Sequence, residues 1–162
     1  MLRVLTSDPT STNDETDKAG VGTLYAAGNG DVYMYVENAG ADTNAVQYKL
    51  ACNKTAGTRG QMTMDAGETT AGGLGTVTKP AGIWQYAVSF GNFGYILVQS
   101  PYCDVYTDDG VADGDALVCD GGATETFIAD TAVAGEEHAV FGHALAADND
   151  TTHLVKAKVN FL

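Results

Sequence analysis

Basic residues are scarce in this chain. It has 8 lysines and arginines against 21 aspartates and glutamates, which gives a net charge of −13 over 162 residues. Proteins that bind nucleic acid by releasing counterions need clusters of basic side chains, and an anionic membrane surface repels a chain this acidic. We therefore expect neither nucleic acid nor membrane among the partners.

Long apolar runs and cysteines are also scarce. The most apolar stretch, residues 95–98, is far shorter than the ~20 residues that span a bilayer. The N-terminus lacks the apolar core of a secretion signal. Three cysteines are too few for a disulfide framework. We expect synthesis in a reducing cytoplasm and favour buried thiols over a disulfide between Cys103 and Cys119.

Catalytic signatures are missing as well. Ser89 lacks the first glycine of a Gly-x-Ser-x-Gly nucleophile elbow, and no Gly-Lys-Ser/Thr phosphate loop occurs. The glycines of residues 72–75 are not followed by the helix of a dinucleotide-binding turn. We expect that the protein is not an enzyme and has no cofactor.

A cluster of aspartates is the best candidate for a metal site. Its members are Asp104, Asp108, Asp109, Asp113, Asp115 and Asp120. A calcium ion would relieve their mutual repulsion, but Tyr106 occupies a ligand position of the EF-hand pattern. His138 and His143 are an odd number of residues apart on a predicted strand, so they face opposite sides and cannot chelate one ion together. We favour solvated turn carboxylates and predict no metal.

The first 18 residues differ from the rest of the chain. They are almost wholly polar and bury too little apolar surface to offset the entropy cost of ordering. We predict a flexible N-terminal arm over residues 1–18 and a single β domain over residues 19–162. The arm is either a frayed terminus or a segment that orders against a neighbouring subunit.

From residue 19 the pattern is typical of β-structure. Strands are predicted at residues 21–25 and 32–36, and the glycine-rich turn at residues 28–31 between them predicts a hairpin. Val32, Met34 and Val36 alternate with Tyr33, Tyr35 and Glu37, which predicts one inward and one outward face. Further strands are predicted at residues 46–52, 62–64, 83–90, 95–99, 102–106, 116–119, 139–146 and 154–161. Breaks are predicted at residues 80–82 and Pro101, and residues 123–135 read as a loop or a weak helix. The turn spacing predicts an all-β fold, a compact antiparallel β-sandwich or β-barrel of about nine to eleven short strands.

Aromatic residues are the strongest candidates for binding. Eight tyrosines beside few lysines match the composition of protein–protein interfaces, although a β-sandwich core would accommodate the same residues equally well. The candidates for a subunit or partner interface are Pro9, Thr12, Trp84, Tyr86, Tyr102 and Tyr106.

Several motifs, in order along the chain, resemble those of capsid decoration (cement, head-stabilising) proteins of tailed bacteriophages. They are Gly22-Thr23, residues 30–36 (GDVYMYV), 93–99 (FGYILVQ), 111–118 (VADGDALV), 141–146 (FGHALA) and 155–159 (VKAKV). Two features depart from that pattern: an insertion-like loop around residues 53–82 and the acidic arm before residue 18.

The resemblance implies a structural virion protein without catalytic residues, made in the host bacterial cytoplasm and located on the outer capsid surface. Its partner would be the major capsid protein, whose adjacent subunits it would bridge, and it would form a homo-oligomer, with a trimer favoured. The alternative is a calcium- or carbohydrate-binding β-sandwich module, in which the aspartate cluster holds an ion and Trp84 stacks on a sugar.

Overall fold

The computed structural model describes residues 2–5, 8–40, 44–54, 60–64, 80–107, 110–120, 128–131, 140–148 and 152–162. Within these ranges the chain forms eleven β-strands and no helix, so no helix there could cross a membrane. The strands are β1 Leu2–Val4, β2 Leu24–Ala26, β3 Val32–Asn38, β4 Leu50–Asn53, β5 Gln61–Thr63, β6 Pro80–Trp84, β7 Phe93–Tyr106, β8 Ala116–Asp120, β9 Ile128–Thr131, β10 Gly142–Ala144 and β11 Leu154–Asn160. The prediction of an all-β fold is confirmed.

Five of the strands close into a barrel. The ring runs from β3 through β5, β4 and β6 to β7, and β7 pairs with β3 again. All of these pairings are antiparallel except the one between β3 and β5. Because the ring is closed, none of its five strands is a sheet edge.

The other six strands extend from the barrel on two sides. On one side β2 pairs with β3 through the predicted hairpin, and β1 pairs with β2 in parallel. On the other side β11, β10, β8 and β9 follow in that order from β7. The long strand β7 serves both parts, because its first half pairs with β3 and its second half with β11.

Two prolines are placed differently from the sequence prediction. Pro101 does not end a strand: β7 continues through it, at a register shift opposite Ala157 and Val159. Pro80 begins β6, also beside a register shift. A proline at a bulge or at the first position of a strand does not interrupt the ladder, since no ladder donor is required there.

Other boundaries also differ from the prediction. The strand predicted at residues 83–90 ends at Trp84, and the chain turns back over residues 85–92, with Gly91 at a φ of 77°. Residues 128–131, predicted as loop or weak helix, form β9, because pairing with β8 supplies the backbone hydrogen bonds that local propensity does not predict. The strand predicted at residues 139–146 is confined to β10, and residue 139 lies outside the described residues.

Alternate residues of the barrel strands fall into two buried clusters. The Trp84 cluster contains Val36, Ala45, Ala51, Met62, Met64, Trp84, Val88, Ile96 and Val98. The tyrosine cluster combines residues of the barrel with residues of the outer strands; it includes Tyr25, Tyr33, Tyr35, Leu50, Cys52, Ile83, Tyr95, Leu97, Leu117, Phe141 and Val155. Both faces of the barrel wall are therefore buried, and the tyrosine cluster joins the barrel to the outer strands. The prediction of one outward face for residues 32–36 is wrong, since Tyr35 and Val36 are both fully buried. The reason is that the outer strands cover the second face of the barrel wall.

Candidate functional site

The N-terminal segment, residues 8–20, lies against the end of the barrel. The backbone N–H of Asp14 donates to the carbonyl of Phe93, and the N–H of Phe93 donates to the carbonyl of Asp14, both at 2.8 Å. Farther toward the N-terminus, β1 pairs with β2. Residues of the predicted arm are thus paired with strands of the β domain.

Asp14 also anchors the segment through its side chain. One carboxylate oxygen accepts a hydrogen bond from the Tyr35 hydroxyl at 2.8 Å, and the other accepts one from Lys18 Nζ at 2.7 Å. Burial alone would raise the pKa of Asp14, but the hydrogen bonds from Lys18 and Tyr35 outweigh it and hold that pKa below its usual range. Burial and the bond to Asp14 raise the pKa of Tyr35. At neutral pH a carboxylate therefore links the segment to the tyrosine cluster.

Asn13 links the same segment to the turn after β6. Its Oδ1 accepts hydrogen bonds from the Ser89 backbone N–H at 3.1 Å and from Asn92 Nδ2 at 3.0 Å, and its Nδ2 donates to Ser89 Oγ at 3.3 Å. This one amide side chain uses both its donor and its acceptor on that turn, so it fixes the position of the segment over the turn.

Gly94 on β7 allows the segment to approach closely. A Cβ atom at this position would lie 2.5 Å from Val88 Cγ2 and 3.0 Å from the carbonyl oxygen of Thr12. Because the second neighbour is backbone, a side chain at residue 94 would displace the N-terminal segment itself.

Short polar turns order the rest of the segment. Asp8 accepts hydrogen bonds from the backbone N–H and the hydroxyl of Thr10, at 2.9 and 2.7 Å. Asp17 accepts from the backbone N–H groups of Gly20 and Val21. Aspartate side chains that bond to nearby backbone in this way stabilise turns. Asn13 and Asp14 are not among the predicted site residues, because that prediction rested on apolar burial alone; the spacing of aspartates along the segment is a usable sequence signal.

A cleft of ≈ 600 Å³ opens between the segment and the barrel. It is lined by Arg3, Ser11, Thr12, Asn13, Asp14, Lys18, Ala19, Tyr25, Tyr86 and Tyr95. The lining combines tyrosine rings with hydrogen-bonding groups, and it holds two of the eight basic residues of the chain. Such a volume accommodates side chains of a partner or a small ligand. The groups present can bind by stacking and hydrogen bonding.

The structure brings only some of the predicted interface residues together. Thr12 and Tyr86 line the cleft, and Tyr86 is 37% exposed. Pro9 is half-buried in the same N-terminal segment.

Tyr102 and Tyr106 lie elsewhere, on the second half of β7. Tyr102 is 61% exposed, with Lys156 Nζ 5.2 Å from its ring centroid, and Lys156 forms an ion pair with Asp104 at 2.6 Å. Lys49 Nζ lies 5.7 Å from the ring of Tyr106. These two tyrosines belong to a second surface, separate from the lining of the cleft.

Trp84 is the predicted interface residue that the structure removes from the surface. It is fully buried in the Trp84 cluster, and its register on β6 pairs it with Ile96 of β7. Its side chain is therefore not available to a partner or to a stacked sugar on the surface of this chain. The alternation of residues along a strand predicts that one face of the strand is buried. In a turn-rich region it does not predict which residues lie on that buried face.

The aspartates and histidines do not assemble into a metal site in the part of the chain that the structure describes. Asp104 is paired with Lys156, and Asp115 accepts a hydrogen bond from the Ala112 backbone N–H. Asp108, Asp109, His138 and the side chain of Asp120 lie outside the described residues. His153 Nδ1 lies 2.9 Å from Asp148 Oδ2, so that histidine contacts one carboxylate in a turn.

No protein-family model matches this sequence, and no curated protein matches it. Among solved structures, the chain is similar to the head fiber gp8.5 N base of bacteriophage phi29, with a TM-score of 0.51 and 16% sequence identity. The match covers 81% of this chain and 95% of that chain. The two proteins share a fold.

Proposed function

We propose that this protein is a structural component of a phage head, and that it binds the outer surface of the capsid and stabilises it by bridging major capsid protein subunits. The observation that carries the proposal is the fold shared with the phi29 head fiber base over 81% of this chain. The ordered motifs of residues 20–162 support it independently, since they resemble those of capsid decoration proteins.

The character of the surface supports binding to protein. Exposed tyrosines flank both the cleft and the second half of β7, and tyrosine provides contact area at low entropy cost. The net charge of −13 disfavours association with packaged nucleic acid. A homotrimer on the shell would present the same surface to three neighbouring capsid subunits at once.

We place the docking surface on the side of the cleft. Thr12 and Tyr86 meet there, and Arg3 and Lys18 add positive charge to an otherwise acidic chain. Arg3 belongs to β1, which lies at one end of the strand order, with Leu2 and Val4 exposed. Tyrosine and arginine, which meet here, are among the residue types enriched in binding hot spots.

Binding to capsids that lack this protein tests the proposal. Purified wild-type protein should co-sediment with such capsids and raise the temperature at which they release their genome. Tyr86→Ala should weaken the binding about 10- to 30-fold, the effect of removing one aromatic hot-spot residue. Tyr102→Ala is the matched control, because it removes an exposed tyrosine from the second surface, and it should bind as the wild type does.

The outcomes separate the function from the docking site. Failure of the wild-type protein to bind any capsid would refute the function. Weak binding of Tyr102→Ala with normal binding of Tyr86→Ala would move the docking surface to the second half of β7. Electron microscopy of decorated capsids then distinguishes a shell-bridging protein from the base of a projecting fiber.

A further inference from the structure

Two cysteines from different parts of the fold lie side by side. Cys52 belongs to β4 of the barrel and Cys119 to β8 of the outer strands, and their Sγ atoms are 3.8 Å apart. Cys52 is completely buried, whereas Cys119 is partly exposed. Both pack in the tyrosine cluster that joins the barrel to the outer strands.

We propose that Cys52 and Cys119 form an oxidation site, at which a disulfide bond ties the outer strands to the barrel. The bond length is ~2.05 Å, so the two sulfurs must approach by about 1.8 Å from their separation of 3.8 Å. Rotation of two side chains that already face each other supplies a movement of this size. The exposed part of Cys119 gives an oxidant its point of entry.

The reaction with a small disulfide oxidant, such as oxidised glutathione, balances in two exchanges. The Cys119 thiolate attacks the oxidant, which gives a mixed disulfide at Cys119 and one released thiol. The Cys52 sulfur then attacks the Cys119 sulfur, which forms the protein disulfide and releases a second thiol. Two cysteine thiols are thereby oxidised, one disulfide is reduced, and both cysteine protons end on the released thiols.

Burial makes the second exchange the slow one. Desolvation raises the pKa of Cys52 well above its usual value, so its thiolate is scarce at neutral pH. The bond should form slowly at pH 7 and faster as the pH rises. The rate should also rise with mild denaturant, which opens the contact between barrel and outer strands.

The third cysteine is a natural internal control. Cys103 Sγ donates to the carbonyl of Ala157 at 3.5 Å, and burial raises the pKa of its thiol to about 12. The pair that the sequence suggested was Cys103 with Cys119; the structure brings Cys52 to Cys119 instead.

A bond at this site closes a loop between residues 67 positions apart. Cross-linking positions this distant restricts the unfolded chain strongly. The bond should therefore stabilise the fold whatever the protein binds. A role of the disulfide bond in stabilising a virus particle outside the reducing cytoplasm rests on the proposed function. The formation of the bond does not.

The test uses the purified full chain and oxidised glutathione at pH 8. After incubation, free thiols are alkylated under denaturing conditions and peptides are mapped by mass spectrometry. We expect a peptide pair joined through Cys52 and Cys119, an alkylated Cys103, and a loss of the mass of two hydrogen atoms from the intact chain. The oxidised protein should melt roughly 10 °C higher than the same sample with reductant.

Cysteine variants make the test more specific, although the wild-type chain is sufficient for it. Cys103→Ala should keep both the bond and the rise in Tm, and Cys119→Ala should lose both. Persistent alkylation of Cys52 and Cys119, a mixed disulfide that remains at Cys119, or a bond to Cys103 would each overturn the proposal. The map of the wild-type chain decides the question even if a variant fails to fold, and capsid binding has no part in it.

Discussion

At the scale of single residues, Asp14 shows how a polar segment is held without apolar burial. Its backbone pairs with Phe93, while its carboxylate binds Tyr35 and Lys18. Asn13 beside it makes three hydrogen bonds with the turn after β6. These two adjacent side chains explain why a stretch of mostly threonine, serine and aspartate lies against the barrel.

Replacement of Asp14 should therefore loosen the N-terminal segment. Asp14→Ala removes a charged hydrogen-bond acceptor from Tyr35 and Lys18, which should lower the free energy of unfolding by about 1–3 kcal/mol at pH 7. Urea denaturation measures the loss. Glu15→Ala, a change of the exposed acidic neighbour, should leave the stability within about 0.5 kcal/mol of wild type.

The loss should also depend on pH. The pKa of Asp14 in the folded protein lies below its usual value, so the stabilisation is complete above the unfolded pKa, near ~3.9. It disappears as the pH falls through the folded pKa. The difference between wild type and Asp14→Ala should shrink below about pH 4, and a difference that stays constant down to acid pH would show that the carboxylate charge contributes nothing.

At the scale of elements, the long strand β7 organises the molecule. Its first half closes the barrel against β3 and β6, and its second half carries β11. The bulge around Pro101 lies between the two halves, where a proline is compatible with the ladder. Near its start, Gly94 leaves room for the N-terminal segment.

A side chain at residue 94 should separate the segment from the strand. In Gly94→Ala the new Cβ would meet the Thr12 carbonyl and Val88, so we expect a loss of about 1–3 kcal/mol in unfolding free energy. Limited proteolysis should cut residues 8–20 faster than in wild type. Gly28→Ala is the control, because nothing lies within 4 Å of its Cβ position; equal effects of the two changes would contradict the close approach.

At the scale of the whole molecule, a closed barrel and an outer set of strands share one core. The tyrosine cluster contains residues from both, and Tyr95 makes ring contacts with Tyr25, Tyr33 and Tyr35. Trp84 is the single tryptophan of the chain and lies on the other buried face. Its emission therefore reports the state of the Trp84 cluster, against which Leu24 and Phe161 of the outer part also pack.

Trp84 fluorescence should show a fully shielded indole in the native protein. Its emission should be blue-shifted and resist quenching by acrylamide, and both properties should be lost in one transition on unfolding. A Trp84→Phe, Tyr86→Trp double variant gives the exposed comparison, since residue 86 borders the cleft. Strong quenching of native Trp84 would mean that the barrel does not close around that face.

The sequence by itself determined the fold class and the location of many strands. Period-two alternation in residues 32–36 and the glycine turn before it depend on local sterics alone, and both are found in the structure as β3 and its hairpin. Amino-acid composition could not predict that four of the tyrosines are buried, because tyrosines fit a core and an interface equally well. Their burial is settled by which strands stack, not by the residues themselves.

Tertiary structure alone decided the closure of the barrel, the position of Trp84, the cleft and the partner of Cys119. Each depends on contacts between residues far apart in the chain, such as Asp14 with Phe93 or Cys52 with Cys119. Local pattern carries no information about which distant strand supplies a missing hydrogen bond or a neighbouring sulfur. The physical reason is that a strand is completed by its neighbours, so register and closure exist only once the whole sheet has formed.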